Sequence, residues 1–246
     1  MIESEGRPQM TYINPQNAWI SASTAETEAR VREFLKSVYL WMFGGLLLTS
    51  LASLLVVSSP ALQQLIFGNR LVMFGLIGAE LVSVIALSAG INRFSPATAA
   101  SLFLGYSFLN GLTLSVILWI YTQQSVVQAF VIAAGMFGAM SVYGAVTKRD
   151  LTGMGTFLRM GVFGLLIAMI ANFFFRSSAF SLAISLVGVV IFTGLTAWDT
   201  QRLRTMAVSM SPGQESKAAV YGALKLYLDF VNLFLFLLRL FGNRRR

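Results

Sequence analysis

The chain has 246 residues, of which 56% are hydrophobic and only 11% are charged, whereas a soluble domain usually has about 25% charged residues. This composition indicates a polytopic membrane protein. The sequence has no cysteine and no histidine, which excludes disulfides, thiolate or imidazole metal sites and any catalytic pair that needs histidine. The net charge of +8 does not indicate nucleic-acid binding, because the basic residues flank the apolar stretches, where they encode membrane topology.

Residues 1–35 are predicted to form a polar cytoplasmic tail, partly disordered, ahead of a membrane domain at residues 36–246. The tail has no short apolar core followed by a small-residue cleavage site, so we expect no removable signal peptide. The segment before Thr24 is expected to be disordered. The mixed-charge run that ends at Lys36 is expected to be helical and to continue into the first span.

Seven apolar stretches follow, each bounded by charge, proline or polar turns. A helix of about 20 apolar residues is long enough to cross a bilayer core of about 30 Å. The sequence therefore predicts an all-α fold with seven transmembrane helices. The stretches are residues 38–59, 71–91, 97–121, 126–147, 157–175, 180–198 and 221–241.

The basic residues predict the orientation of these spans. With seven crossings, twelve Lys and Arg lie on the side of the N-terminus and six on the other side, which favours a cytoplasmic N-terminus. The C-terminal GNRRR is discordant, because a complete last crossing leaves three arginines outside; a re-entrant last stretch changes the count to sixteen against two. We predict a complete crossing, because residues 221–241 are nearly all apolar and have no Pro or mid-segment Gly.

Three of the ten acids lie at or near membrane depth: Glu80, Asp199 and Asp229. An aspartate near the centre of a transmembrane helix costs about 2.5 to 3.5 kcal/mol, so these acids need a role or a partner. Because no Lys or Arg lies in the middle of a span, they are protonated, share protons or bind a mobile cation. The alternative is structural: Arg202, three residues after Asp199, and Lys225, four before Asp229, form ion pairs on the helix surface.

Other polar side chains lie within the apolar stretches. Asn232 shares a helical face with Asp229, three residues away. Polar residues of the third and fifth spans either line a water-filled path or join helices by hydrogen bonds; they are Tyr106, Asn110, Thr113 and Asn172.

Three segments of the sequence resemble the Bax inhibitor-1 family, also called TMBIM, and specifically its bacterial inner-membrane members. They are GLTAWDTQRLR, the loop GMFGAMSVYGAVTKRDLTGMG, and the last span LYLDFVNLFLFLLRLFGNR, and the likeness runs from about residue 30 to the C-terminus. The resemblance implies six helices around a central, apolar seventh. It also implies a pH-sensitive calcium leak gated by two aspartates hydrogen-bonded across the last two helices.

The two aspartates of that family match Asp199, in the A-x-D-T-Q motif, and Asp229, in the L-Y-L-D-F motif. Some members have an arginine on the second helix that pairs with them, whereas this span offers only Glu80. The leading hypothesis is therefore a cation leak, with Ca²⁺ as the permeant ion and no resident cofactor, gated by a proton shared between Asp199 and Asp229. Two carboxyl groups within hydrogen-bond reach titrate as one coupled unit, which supplies a pH switch without histidine.

Ca²⁺ prefers oxygen ligands, which the two aspartates, Glu80 and Asn232 offer. The residues expected to support the pair or line the ion path are Glu80, Asn232, Asn110 and Arg202. One difficulty is depth: Asp199 falls near the cytoplasmic end of its apolar stretch, whereas Asp229 lies near the middle. Pairing therefore requires the last helix to lie closer to the cytoplasm, or a water-filled vestibule.

The second hypothesis is an interaction protein that modulates an inner-membrane quality-control protease, which would grip the N-terminal tail. An enzyme is not expected, because the sequence has no nucleophile with a base, no phosphate-binding glycine loop and no metal cluster. A proton-coupled transporter is a third class, but the sequence has no clear inverted repeat or broken helix pair.

Overall fold

The computed structural model describes residues 15–90, 93–211 and 213–245. Over these ranges the chain forms eight helices and one isolated β-bridge. The helices are α1 (Pro15–Ser58), α2 (Pro60–Phe67), α3 (Arg70–Gly90), α4 (Pro96–Ile120), α5 (Gln123–Val146), α6 (Thr152–Phe175), α7 (Ser178–Ser209) and α8 (Glu215–Phe241).

The predicted all-α class is confirmed for the described residues, and each predicted apolar stretch overlaps one of these helices. Among the described residues, six helices are long and apolar enough to cross a membrane, namely α1, α3, α4, α5, α6 and α7. The short helix α2 was not predicted, because its eight residues are too few to span. It begins with a capped first turn, in which the Ser59 hydroxyl accepts from the Leu62 amide at 3.4 Å and Pro60 occupies the first helical position.

Helix α1 begins earlier than the sequence indicated. Disorder was expected before Thr24, but the backbone is helical from Pro15, because proline is compatible with the first turn and the next residues include no helix breaker. The mixed-charge run is helical and continues into the first span, as predicted. Residues 1–14 lie outside the described part of the chain.

Helix α8 packs against α1, α4, α5 and α7. Its buried residues extend from Ala219 to Leu238, and Leu226, Tyr227 and Leu233 have no exposed surface. In contrast, α3 packs mainly on α4, and α6 mainly on α7, and both present large apolar side chains outward. This distribution fits a bundle whose outer surface contacts lipid, because apolar side chains are as stable against lipid tails as they are inside the protein.

Close contact between α1 and α4 depends on small residues. A side chain at Gly111 would collide with the backbone of Thr49 and with the Cβ of Ala52. The Ser53 hydroxyl donates to the Gly111 carbonyl at 2.7 Å, which joins the two helices at their narrowest approach.

The segments that flank α8 are bound at two separate places in the bundle. Near its start, the Arg30 guanidinium of α1 donates to the carbonyl of Met210, at the end of α7. After its end, the amide of Thr122 donates to the Asn243 carbonyl at 3.0 Å, and the amide of Arg245 donates to the Ile120 carbonyl at 2.9 Å. The C-terminal segment is therefore bound to the connection between α4 and α5.

Candidate functional site

The two predicted aspartates lie on neighbouring antiparallel helices. Asp199 lies ten residues before the end of α7, and Asp229 lies fourteen residues after the start of α8. At 1.5 Å per residue these positions are roughly 15 and 21 Å from the respective helix ends. The expected mismatch in depth is thus small in the structure, because both helices extend beyond their apolar stretches toward their connection.

The extension of α7 follows from an amphipathic sequence. After Trp198 the apolar run ends, but Leu203 and Ala207 are buried in the bundle while Arg202 and Arg204 are exposed. Hydropathy alone ends the span at residue 198, whereas this one-sided pattern keeps the backbone helical to Ser209.

The Asp199 and Asp229 carboxyl groups lie close together, one on α7 and the other on α8, and they interact electrostatically. Both residues are 5% exposed. A hydrogen bond between two carboxyl groups requires one proton between them, because two carboxylates have no donor. Among the described residues, Asp199 Oδ1 and Asp229 Oδ2 have no hydrogen-bond partner, so each group keeps a free oxygen.

Lys225, named from the sequence as an ion-pair partner for Asp229, pairs with the other aspartate. Its Nζ lies 3.7 Å from Asp199 Oδ1, so a residue of α8 forms an ion pair with a residue of α7. The alternative ion pair with Asp229, on the same helix, is not formed. The long lysine side chain lies along the helix surface and reaches the neighbouring helix instead.

Arg202 does not form the expected ion pair with Asp199. Its Cζ lies 5.3 Å from the ring centroid of Trp198, and it acts on Asp199 only at longer range. Arg159 of α6, which the sequence analysis did not select, lies over the same ring at 4.7 Å. One feature of the sequence could have identified Arg159: it is the one basic residue within the sixth helix.

A cavity of about 390 Å³ lies in front of the pair, between α6, α7 and α8. Its polar lining consists of Asp199, Asp229, Lys225, Asn232 and Arg239, and the remaining wall is apolar. The Asn232 amide nitrogen donates to the Leu228 carbonyl at 2.8 Å, and that bond leaves the amide oxygen free to face a ligand. Four of the five polar residues lie on α8, which therefore supplies a polar face along the cavity.

Glu80 and Asn110 belong to a second polar cluster. The Thr113 hydroxyl donates to Glu80 Oε1 at 2.7 Å, and the Asn110 amide donates to Glu80 Oε2 at 3.3 Å. The Tyr227 hydroxyl donates to Asn110 Oδ1 at 2.9 Å and lies 2.6 Å from the Thr49 hydroxyl. This network joins α3, α4, α8 and α1, so these polar residues join helices by hydrogen bonds.

The second cluster lies on the opposite side of α8 from the pair. Tyr227 precedes Asp229 by two residues, and two residues of an α-helix turn the side chain by about 200°. Glu80 and Asn110 are accordingly not among the residues that line the cavity beside Asp199. Of the four supporting residues predicted, only Asn232 faces that cavity.

The oxygen ligands at the pair are few. Within the described part of the chain, no group of three or more Asp, Glu, His or Cys side chains is placed to hold a metal ion. Two carboxylates and one amide oxygen supply fewer than the six to eight ligands that Ca²⁺ takes, so water would have to complete the shell. Such a site suits a passing cation better than a tightly held one.

Comparisons with known proteins place the chain among bacterial membrane proteins. The profile of the family described as "Inhibitor of apoptosis-promoting Bax1" matches residues 31–246. The chain is 46% identical over 228 residues to "Inner membrane protein YbhL" of Escherichia coli strain K12, which covers 92% of this chain and 97% of that protein. It is also 45% identical to an uncharacterized protein of Deinococcus radiodurans, over 92% of this chain and 96% of the relative. A Borreliella burgdorferi protein is 46% identical, with 87% and 93% covered.

Proposed function

The chain belongs to the Bax inhibitor-1 family, and on that premise we propose that it is a pH-sensitive cation leak channel of the bacterial inner membrane, not an enzyme, with Ca²⁺ as the permeant ion. The observation that carries the proposal is the buried, neighbouring pair of Asp199 and Asp229 beside a cavity of about 390 Å³. Buried carboxyl groups in a membrane bundle are costly, which favours a functional role for them.

The shared proton is the proposed switch. While it is bound, one hydrogen bond joins α7 to α8 and the pair carries at most one negative charge. When it is lost, two buried carboxylates repel each other at close range, so the pair separates and its oxygens become available to a cation. The pair titrates as one unit, so a single protonation event changes both the closure and the charge of the cavity wall.

Lys225 supports this assignment by balancing the negative charge that the pair carries. Its ammonium group lies against Asp199, at the oxygen that the aspartate pair leaves free. A permeating cation must compete with this internal cation for the same carboxylate. Lys225 therefore takes the place of the second-helix arginine that some family members have, and it does so from α8.

We also propose that α8 is a seventh crossing, with the N-terminus in the cytoplasm. Its start lies beside the contact between Arg30 and Met210, and the segment after its end is bound to the connection between α4 and α5. These contacts favour a helix that runs the length of the bundle over a re-entrant one. The excess of basic residues on the N-terminal side supports the orientation.

The deciding experiment is ion flux into liposomes that contain the purified protein, scanned from about pH 6 to 8. We expect a Ca²⁺ leak whose rate changes with pH and whose pH dependence is lost in the Asp199→Asn and Asp229→Asn variants. A folded, reconstituted protein that passes no cation at any pH in this range would contradict the proposal.

The alternative remains an interaction protein that restrains an inner-membrane protease. The observation in its favour is the length of α1, which extends from Pro15 to Ser58, more than a bilayer requires. Deleting residues 2–23 separates the two functions, because the deletion leaves the Arg30 contact and every span in place. We expect the leak to survive this deletion. If the tail is what the protease grips, the truncated protein should no longer control the protease.

A further inference from the structure

Two arginines from different helices lie on one buried indole. Trp198 is 5% exposed, and its ring lies under the guanidinium of Arg159 from α6 and that of Arg202 from α7. Gly155 lies one turn before Arg159, and a side chain there would collide with the indole ring. The missing side chain lets α6 lie directly on the ring, so the arrangement depends on residues from both helices.

The surrounding contacts fix the start of α6 relative to α7. The Gln201 side chain accepts from the Leu151 amide at 2.9 Å and donates to the Arg149 carbonyl at 2.8 Å. These two bonds fasten the connection between α5 and α6 to α7. The two guanidinium groups are therefore presented by a preorganised surface, which lowers the entropy lost when a ligand binds.

Neither arginine has a carboxylate partner. Across the described residues, the ion pairs within 4.0 Å join Lys36 to Glu33 and Lys225 to Asp199. A guanidinium that stacks on an aromatic ring still exposes its N–H groups at its edge, where they match the oxygens of a phosphate in a bidentate geometry. Two such groups beside one ring can offer these donors to a phosphate.

The surface beside the arginines suits an acyl chain. Phe157, Met160 and Phe163 on α6 are 69%, 61% and 68% exposed. Lys148 and Arg149, in the preceding connection, are also exposed and mark the end of the bundle where basic residues collect. A polar, cationic site next to exposed apolar side chains has the character of a lipid headgroup site at the membrane interface.

We propose that Arg159 and Arg202, held on the Trp198 indole, bind the phosphate of an anionic phospholipid. The site is separate from the carboxyl pair, and lipid binding does not depend on the proposed leak. Both arginines nevertheless act electrostatically on Asp199, the residue after Trp198. A phosphate bound there offsets their positive charge next to the carboxyl pair. The lipid composition therefore changes the pH at which the pair loses its shared proton.

Native mass spectrometry of the full chain in detergent tests the site, with phosphatidylglycerol and phosphatidylcholine as the lipid probes. We expect the double variant Arg159→Gln and Arg202→Gln to bind phosphatidylglycerol about thirtyfold more weakly, because the loss of each arginine lowers the affinity about fivefold. The matched control is Arg93→Gln with Arg204→Gln, which removes the same charge from segments predicted to lie on the same side of the membrane but leaves the indole site intact. We expect the control to change binding by less than about twofold.

Three results would overturn the proposal. They are unchanged phosphatidylglycerol binding in the indole-site variant, equal losses in both double variants, and inorganic phosphate that binds this site and displaces the lipid. If the double glutamine variant does not fold, the single variants Arg159→Gln and Arg204→Gln give the same comparison, with an expected difference of about fivefold. Retained preference for phosphatidylglycerol in Arg159→Gln would then refute the site.

Flux measurements distinguish failure of this site from failure of the leak. In liposomes with phosphatidylglycerol, we expect the pH profile of the wild-type leak to differ from that in phosphatidylcholine, and the indole-site variant to lose this difference. A protein that binds the anionic lipid but conducts in neither lipid would contradict the proposed leak and would support the lipid site. A protein that conducts with pH dependence but does not retain the lipid contradicts the lipid site alone.

Discussion

A double-mutant cycle on Asp199 and Asp229 examines the proposed gate most directly. Asp229→Asn removes one charge but keeps a hydrogen-bonding group of similar size, so Asp199 loses its like-charged neighbour and the shared proton is no longer needed for closure. Asp199→Asn should have the same effect from the other helix. Because both carboxyl groups are buried and lie next to each other, we expect a coupling of about 2 kcal/mol, or about thirtyfold in the balance of open and closed states.

The assay compares Ca²⁺ flux into liposomes at about pH 6 and pH 8 for the wild type, both single variants and the double variant. Each single variant should flatten the pH dependence, and the double variant should add little, because coupled groups act as one unit. Asp150→Asn is the matched control. Hydrogen bonds from Thr152 hold the pKa of Asp150 below its usual range, so this exposed loop acid stays ionised throughout the scan and its loss should leave the profile unchanged.

Additive effects of the two substitutions would refute the reasoning, because independent acids share no proton. An unchanged pH profile in either single variant would also refute it. A flattened profile in the Asp150 control would show that the profile reports net charge near the membrane and not the pair.

Two further predictions concern the closure and the topology. Lys225→Met removes the cation that competes with a permeant ion for Asp199, so we expect the leak at the high-pH end of the scan to rise about fivefold. Because the ammonium group also favours the ionised carboxylates, its loss should move the onset of the leak to higher pH. Lys217→Met on the same helix should change neither, and an unchanged leak in Lys225→Met would exclude Lys225 from gating. Single cysteines in this cysteine-free chain report topology through impermeant thiol reagents in whole cells: cysteine at Arg176 or Asn243 should label and cysteine at Lys148 should not, while protection at Asn243 would show that α8 does not cross.

The carboxyl pair could be predicted from the sequence because an acid at membrane depth is unusual and two of them match one family's motifs. The partner of Asp199 could not be predicted in the same way. Spacing along one helix suggested Arg202, but the ion pair is formed by Lys225 of the next helix, since its position depends on how α7 and α8 are rotated against each other. Helix spacing describes neighbours within an element and does not describe contacts between elements.

The ends of the helices were predicted poorly for a related reason. Hydropathy reports the thickness of the membrane core, and a helix can continue beyond it wherever one face still packs on protein. Leu203 and Ala207 do so in α7, and Ala219 and Val220 do so at the start of α8. Measured from the ends of these longer helices, Asp199 and Asp229 lie at similar depth. The difference in depth expected from the sequence arose because the apolar stretch was taken as the whole helix.

Tyr227 lies on the face of α8 that packs on α1 and α4. Its hydroxyl joins Asn110 of α4 and Thr49 of α1, and the side chain is fully buried, whereas the opposite face of α8 packs on α7 and lines the cavity. Opening should therefore move α6 and α7 away from α8. Tyr227→Phe keeps the ring but leaves the Asn110 oxygen without its donor, at a cost of about 1 to 3 kcal/mol in the free energy of unfolding. We expect lower thermal stability in detergent with an unchanged pH midpoint of the leak; a shifted midpoint with unchanged stability would mean that the Tyr227 face takes part in gating.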